Sequence, residues 1–563
     1  MKTLSSIIFV SCFAFHLNAD PLTNGQTVAW SAGVRGGIPF YPQAVSVADY
    51  GADNTGASDS YGAFTNAIAN CTNGGAVYVP PGTYRIDSII NPAVTKKIVL
   101  RGQSPTNTVL EMRTTSSSLH GAITFGGDTS RNSPMVTNGY TAGSSNLVVT
   151  STSGISVGHL ALLRQSNDAA YVFGTLSDAN NLWQGQMARV HAVSGNTVTL
   201  DRPLYFSYGP TSIMDFRCYS KSAEYCGLEN LTIKGGVSNT TPQNLVAFFI
   251  AQNCWITNCN VTNSHFSNVE MNQSYAIEVR ASRLENHQAY DSNTRYGAQM
   301  DYWSTDCLIE DNIVNGHNLS IVCQQGACGN VISANFALYG FGNGYPTDAG
   351  AKGWITMHGD NANFNLVEHN VAPAGGADCF WGSNRKNTFH RNHFMRWGYV
   401  SPPPTNTVMQ LGMYAISLEA TNYHHNFVGN IWGTPRDTGD ANSSHYALNI
   451  GYDSRQGNEY PAAPKDTNSL YTATFIGNYD FQTNGTHWPN GVVALESSYH
   501  RASKPSWFGS LAWPPIGPDV NTNNTITNSA VIPAQARFLG QDYTIIFVTN
   551  SARSTRLRGW RGL

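Results

Sequence analysis

Charge is what this 563-residue sequence lacks most: Asp, Glu, Lys and Arg make up only 12% of it. An average soluble protein carries roughly twice that share. The net charge is -3 and aromatics are 11%, so this is not a charge-driven disordered chain. Glu, Lys, Leu and Ala are too sparse for a coiled coil. There is no basic excess, which excludes a non-specific nucleic-acid binder. Beyond the first twenty residues no apolar run reaches the 18 or so residues of a membrane span. No C-x2-C pair or His cluster completes a zinc set, so no metal site and no cofactor are expected. What the chain has instead is 53 Gly, 25 Pro and much Asn, Thr and Ser. A folded chain whose polar surface comes from amides and hydroxyls suits an extracellular β-protein.

The N-terminus reads as a secretory signal. Lys2 gives a basic start, residues 6–15 are apolar but too short to span a bilayer, and Leu17-Asn18-Ala19 precedes Asp20 as a cleavage site. Residues 1–19 are therefore expected to be removed and the protein secreted, to the exterior or the periplasm. Of ten cysteines, Cys12 falls in this segment and nine remain. Cys254/Cys259 and Cys323/Cys328 share a C-x4-C spacing, read as buried apolar residues or local disulfides.

Residues 45–111 are the first informative block. A strand ends at Tyr50-Gly51, and Asp59 or Ser60 caps a short helix with apolar positions Ala63, Phe64, Ala67 and Ile68. Strands follow at 76–79, 83–86 and 98–102, the first two joined by the Pro80-Pro81-Gly82 turn. The strings DYGAD-x3-ASD, A-x3-AI, GG-x-VYVPPGTY and VLRG resemble the opening of the pectate lyase (pectin lyase-like) superfamily. More narrowly they resemble its rhamnogalacturonase/epimerase-like pectate lyase domain. The resemblance implies an all-β fold: a single-stranded right-handed parallel β-helix with a short N-terminal helical cap. It does not imply one reaction.

Residues 136–208 break the pattern. Short strands at 146–150, 160–163, 187–191 and 197–200 predict an inserted β-subdomain or long loops, either a groove wall or a folding clamp. From Cys226 a repeat emerges as apolar-x-x-x-Asn, in LIEDN, VISAN, LVEHN and TFHRN. The closing asparagines are Asn230, Asn260, Asn286, Asn312, Asn335, Asn370, Asn392, Asn430 and Asn478, at gaps of 30, 26, 26, 23, 35, 22, 38 and 48. The short gaps are one three-stranded turn of solenoid, and the long ones hold inserted loops at 340–353 and 399–410. The expected divisions are 1–19 signal, 20–135 cap and first rungs, 136–208 insert, 209–480 β-helix with Asn ladder, and 481–563 C-terminal strands and a basic tail.

A solenoid works on an outward sheet face. In the fold that this sequence resembles, that face is the strand upstream of the Asn ladder. Counting back about eleven residues finds GAQMDYW, SIVCQQ, GWITMHGD, ADCFWG and AISLEA. Alternation sends Met300, Cys323, Met357, Cys379 and Leu418 inward. Asp301, Gln324, His358, Asp378 and Glu419 then form an outward polar line, flanked by Asp360, Trp303, Trp354 and Trp381. With rungs about 4.8 Å apart, Asp360/Asp378 and Asp378/Glu419 fall near the carboxylate separations of glycosidases. The candidate catalytic residues are Asp360, Asp378, His358, Asp301 and Glu419. The candidate substrate contacts are Arg385, Trp303, Trp354, Trp381 and Gln324, with Arg385 placed to neutralise a uronate or sulfate and the tryptophans to stack on sugar rings.

The expected function is a secreted enzyme cleaving a plant or algal polysaccharide by glycoside hydrolysis. The alternatives are a polysaccharide lyase or uronate epimerase, with Ca²⁺ held by oxygen ligands, and a non-catalytic glycan-binding solenoid of the tailspike kind. The polygalacturonase motifs NTD, DD, GHG and RIK are not present as a set. The partner expected is a polysaccharide, with no nucleic acid and no membrane span; the oligomeric state is left open.

Overall fold

The computed structural model describes residues 22, 25–92, 96–114, 120–167, 182–209, 214–236, 244–288, 295–341, 353–400, 408–410, 414–437, 448–453, 465–489, 491–520 and 530–540. The predicted signal segment, the basic tail and most of both predicted inserted loops lie outside them.

Three parallel sheets wind around one apolar interior. A 12-stranded sheet runs from Gln43–Ser46 to Thr474–Ile476. A nine-stranded sheet runs from Gly121–Gly126 to Leu448–Ile450. The third side is built in two parts, six strands and then five, bridged through Phe336 between Ile313 and Val371. Each chain turn contributes one strand to each side, so the molecule is a parallel β-helix. Parallel crossovers of this kind are right-handed. Inside, like side chains stack rung on rung: Phe389, Phe427 and Phe475 lie face to face with centroids 5.0 Å apart. The helix Tyr61–Asn70 caps the N-terminal end, burying Ala63, Phe64, Ala67 and Ile68 as the pattern predicts. Asp59 rather than Ser60 bonds its first turn, accepting from the Tyr61 N–H at 3.0 Å.

The Asn ladder runs unbroken through Asn312, Asn335, Asn370, Asn392, Asn430 and Asn478, each side-chain amide donating to the next Oδ1 at 2.8–3.0 Å. Asn230, Asn260 and Asn286 are not in it. The ladder position in the earlier rungs is held by Ser282 and Cys259, whose backbone and hydroxyl link into Asn312. Asn230 stands one residue earlier, in a column with left-handed backbone that continues through Asn258, Asp311 and His369. Asn suits left-handed geometry and amide stacking alike, so the two columns look the same in sequence.

The insert is a seven-stranded antiparallel sheet, including Asn146–Val149, Leu160–Gln165, Gln184–Ser194 and Thr197–Leu200, and extending outward to Arg131–Asn132 and Met214–Tyr219. It docks on the solenoid through packed aromatics and one charged knot. Asp306, fully buried, takes Arg35 at 2.5 Å and Arg202 at 3.1 Å, and accepts from the Tyr205 hydroxyl. A buried carboxylate needs such partners, since removing one leaves an uncompensated charge. The knot ties three regions together: the N-terminal segment, the insert and the solenoid.

The terminal segments cover the outer face of the 12-stranded sheet. Trp30 packs on Leu308, Val331 and Leu366, and the Val34 N–H donates to Glu278. From the other end, Ser498 and Tyr499 bond Glu368, and Arg501 pairs with Glu310 at 2.6 Å. All nine described cysteines are buried free thiols, so the C-x4-C pairs are apolar residues and not local disulfides.

Candidate active site

The outer face of the nine-stranded sheet carries the polar line. Its pairing aligns Met271, Met300, Cys323, Met357, Ala377, Leu418 and Ile450, all facing the interior. The next residue on each strand therefore falls in one outward column: Asn272, Asp301, Gln324, His358, Asp378 and Glu419. Backbone bonds at Gln324, His358, Asp378 and Glu419 continue the ladder through those positions. One inward position differs from expectation. Ala377, not Cys379, stacks on Met357, because the strand ends at Ala377 and the chain has turned by Cys379.

His358 and Asp378 form a dyad, with Nδ1 and Oδ2 2.6 Å apart and both side chains partly exposed. A carboxylate only accepts, so His358 donates from Nδ1 and keeps Nε2 as an acceptor. The second oxygen of Asp378 accepts from the Phe380 N–H at 3.0 Å. Phe380 lies parallel to the His358 ring at 6.4 Å and meets Trp381 edge-on at 4.8 Å. These two rings are 46% and 39% exposed, unusual for aromatics, and form a platform beside the dyad. Phe380 was not among the residues that the sequence singled out. Its signal was an aromatic pair just past a strand end.

Asp301 is buried and its pKa is well above the usual carboxylate range, because burial and the negative charge of Glu270 both favour the neutral acid. Its Oδ1 has no hydrogen-bond partner. Glu270 was also missed. It lies on Val269–Asn272, one rung before the counted segments, and faces outward two residues ahead of the column. Strand pairing sets Glu270 opposite Gln299, so its Cα lies diagonally about 8 Å from that of Asp301. Glu270 accepts amide bonds from Asn244 at 2.8 Å and Asn272 at 3.2 Å. Both carboxyls are buried, but Glu270 receives two side-chain amides while Asp301 keeps one oxygen without a partner. Tyr296 lies edge-on to His358 at 6.2 Å, and burial together with Asp301 and Asp378 holds its hydroxyl protonated. Gln299 Oε1 and Trp354 Nε1 on the same face are also buried without partners. Unpaired buried polar atoms are rare in proteins and mark groups that a ligand can satisfy.

Four expectations are corrected. Asp360, two residues past His358, is fully buried and turned toward the insert, where Asn167 donates to it at 3.3 Å. Burial pushes its pKa up to about 7. It therefore does not stand in the column opposite Asp378. Trp303 is buried too: Tyr302 and Trp303 adopt positive φ, so the chain turns a corner after Asp301. Its ring stacks on Trp183 at 5.5 Å and seats against Gly185 and Gly326, where any Cβ would come within 2.5 Å of Cδ1. Trp303 is part of the insert clamp, not a sugar platform. Arg385 bonds Gln184 of the insert at 3.1 Å and lines a separate cavity that contains no residue of the column. Glu419 stays in the column, but its carboxylate accepts from the backbone and thiol of Cys379 at 3.0 and 3.2 Å, which holds it as a strand-end brace. Trp354 is half-buried beside Tyr296, and Gln324 hydrogen-bonds Asp301.

Among the described residues, no group of three or more His, Cys, Asp or Glu side chains converges as a metal site. No helix among the described residues is long and apolar enough to cross a membrane.

The architecture is a parallel β-helix. Residues 44–265 match the family described as rhamnogalacturonase A/epimerase, pectate lyase-like. No curated protein matches the chain. Among solved structures, the tailspike protein gp49 of Pseudomonas phage LKA1 is 17% identical over 77% of this chain and 70% of its own, with a TM-score of 0.51. The catalytic unit of an α-1,3-glucanase from Streptomyces thermodiastaticus is 13% identical over 82% and 71%, with a TM-score of 0.37. The A-module of a mannuronan C-5 epimerase from Azotobacter vinelandii is 13% identical over 77% and 93%, with a TM-score of 0.35. At these identities the likeness concerns the fold.

Proposed function

We propose that this protein is an exported polysaccharide-cleaving enzyme, a glycoside hydrolase working on the outer face of the nine-stranded sheet. The observation that carries the reading is the Glu270–Asp301 pair. Glycoside hydrolysis needs one carboxyl that keeps its proton and one that stays a carboxylate. Burial and the neighbouring charge keep Asp301 protonated, which makes it the general acid for the leaving oxygen. Glu270, held by two side-chain amides, is the base that activates water. The His358–Asp378 dyad, two and three rungs along, binds and orients the chain, with Phe380 and Trp381 stacking on a sugar face.

A lyase or epimerase is the second reading. The dyad favours it, since a histidine held through Nδ1 leaves Nε2 as the candidate acceptor for a proton beside a carboxylate. One experiment separates the two. Purified protein is incubated with a panel of neutral, uronic and sulfated polysaccharides, and reducing ends and unsaturated-product absorbance are followed together. Hydrolysis predicts reducing ends without that absorbance, lost in Asp301→Asn and Glu270→Gln. Absorbance that survives both substitutions and disappears in His358→Gln refutes it.

A further inference from the structure

Glu270 has a histidine beside it. The His120 Nδ1 lies 3.5 Å from its carboxylate. Asn244 ties the two together, its side-chain amide donating to Glu270 at 2.8 Å and to the His120 carbonyl at 3.0 Å. The chain reaches this point through a turn at the start of Gly121–Gly126, where the Thr124 hydroxyl accepts from the Gly121 N–H and donates to Gly121 O. A Cβ on Gly121 would come within 3.0 Å of the Cβ of Ala247, the residue paired with Glu270, so the turn lays His120 over the outer face. There the imidazole stacks on Phe249, with centroids 4.1 Å apart and planes 21° from parallel. Phe249 belongs to the column itself: it pairs with Asn272, which pairs with Asp301. It therefore stands two rungs, about 10 Å, from Asp301 on the side away from the dyad. The His120 side chain is 34% exposed. Because a carboxylate only accepts, Nδ1 turns its hydrogen to Glu270 and Nε2 is left as an acceptor.

We infer that His120 and Phe249 form a sugar-binding wall at the Glu270 end of the column, with the imidazole lying against one pyranose ring and its Nε2 accepting from a hydroxyl of that ring. A partly exposed aromatic body with a polar tip suits a sugar, which offers both C–H faces and hydroxyls. The wall is the counterpart of Phe380 and Trp381 at the dyad end, so the Glu270–Asp301 pair stands between two stacking surfaces. His120 touches the substrate on one side and the base on the other, which sets that sugar's distance from Glu270. That the ligand is a sugar rests on the polysaccharide reading above; that His120 faces it rests on the turn, the stack and the shared column.

The test uses the full chain and the neutral, uronic and sulfated polysaccharides of the cleavage assay. Native gels are cast with each of them, and the Asp301→Asn protein is run through every gel, so that binding is read without cleavage. At least one polysaccharide should retard it. Adding His120→Ala should weaken that retardation about three- to tenfold, the worth of one aromatic stack, and His120→Phe should restore most of it. In the cleaving protein His120→Ala should raise KM by the same factor with kcat held within about twofold, as loss of a contact made equally in ground and transition states requires. Thermal melts identify any variant that misfolds, and Phe249→Leu then serves as the second variant, with the same weakening expected. No retardation in any gel, retardation that His120→Ala leaves intact, or a loss confined to kcat that His120→Phe does not restore overturns the wall. Retardation that depends on His120 without any reducing ends overturns hydrolysis at Glu270–Asp301 and leaves the wall standing. Reducing ends with an unaltered KM in His120→Ala do the reverse.

Discussion

Asp360 offers a direct test of whether burial or chemistry explains an acid beside the polar column. Its carboxyl is fully buried, with one oxygen bonded by Asn167 and the other without a partner. Burial raises its pKa from 3.8 to about 7. An acid with a raised folded-state pKa stabilises the fold most when protonated. Between about pH 4 and 7 the folded chain holds a proton that the unfolded chain has lost, so stability falls as pH rises through that window. The displacement is worth about 4 kcal/mol, fully expressed above pH 7 and absent below pH 4. Asp360→Asn is nearly isosteric and has no charge to bury. The measurement is urea unfolding of the wild type and the variant at pH 4 and pH 8. Relative to wild type, the variant should gain about 4 kcal/mol more at pH 8 than at pH 4. A difference below about 1 kcal/mol between the two pH values would refute the reasoning, since it would mean that water reaches the carboxyl. Cleavage should persist in the variant, because the acid turns away from the column.

Three further outcomes are expected. Cleavage by the wild type should fall on the alkaline side as Asp301 loses its proton, and Asp301→Asn should lower kcat by about a hundredfold or more; a pH–rate profile in both proteins checks this. Asn370→Ala removes a fully buried ladder amide that donates to Ile332 O and accepts from Asn335. It strands several polar groups and should cost about 3–6 kcal/mol in chemical denaturation. Trp303→Ala should cost about 3–5 kcal/mol by opening a cavity under the insert, with kcat unchanged in a reducing-end assay.

The fold was legible where a repeat fixes the same atoms at the same rung. Asn312 to Asn478 could be aligned because each amide bonds the next. The outward column from Asp301 to Glu419 could be aligned because alternation and backbone pairing carry on one residue past the strand ends. Both signals fail at corners. Tyr302 and Trp303, with positive φ, redirect the chain immediately after Asp301, and no alternation rule carries Trp303 or Asp360 across such a turn. Glu270 escaped because its rung has Ser282 at the ladder position, so the expected asparagine of that turn, Asn286, lies outside the ladder and does not mark Val269–Asn272. Arg385 was legible as a cation near the acids in sequence. That it reaches the insert depends on Gln184, two hundred residues earlier, and no local pattern reports that pairing.

The strap laid by the N-terminal segment has a consequence in time. The Trp30 indole donates to Phe364 O across 334 residues of chain. At roughly 5–20 residues per second, a ribosome needs on the order of 17 to 70 seconds to deliver that acceptor. The first residues made are thus among the last to find their places. Until then the outer face of the longest sheet lacks this cover.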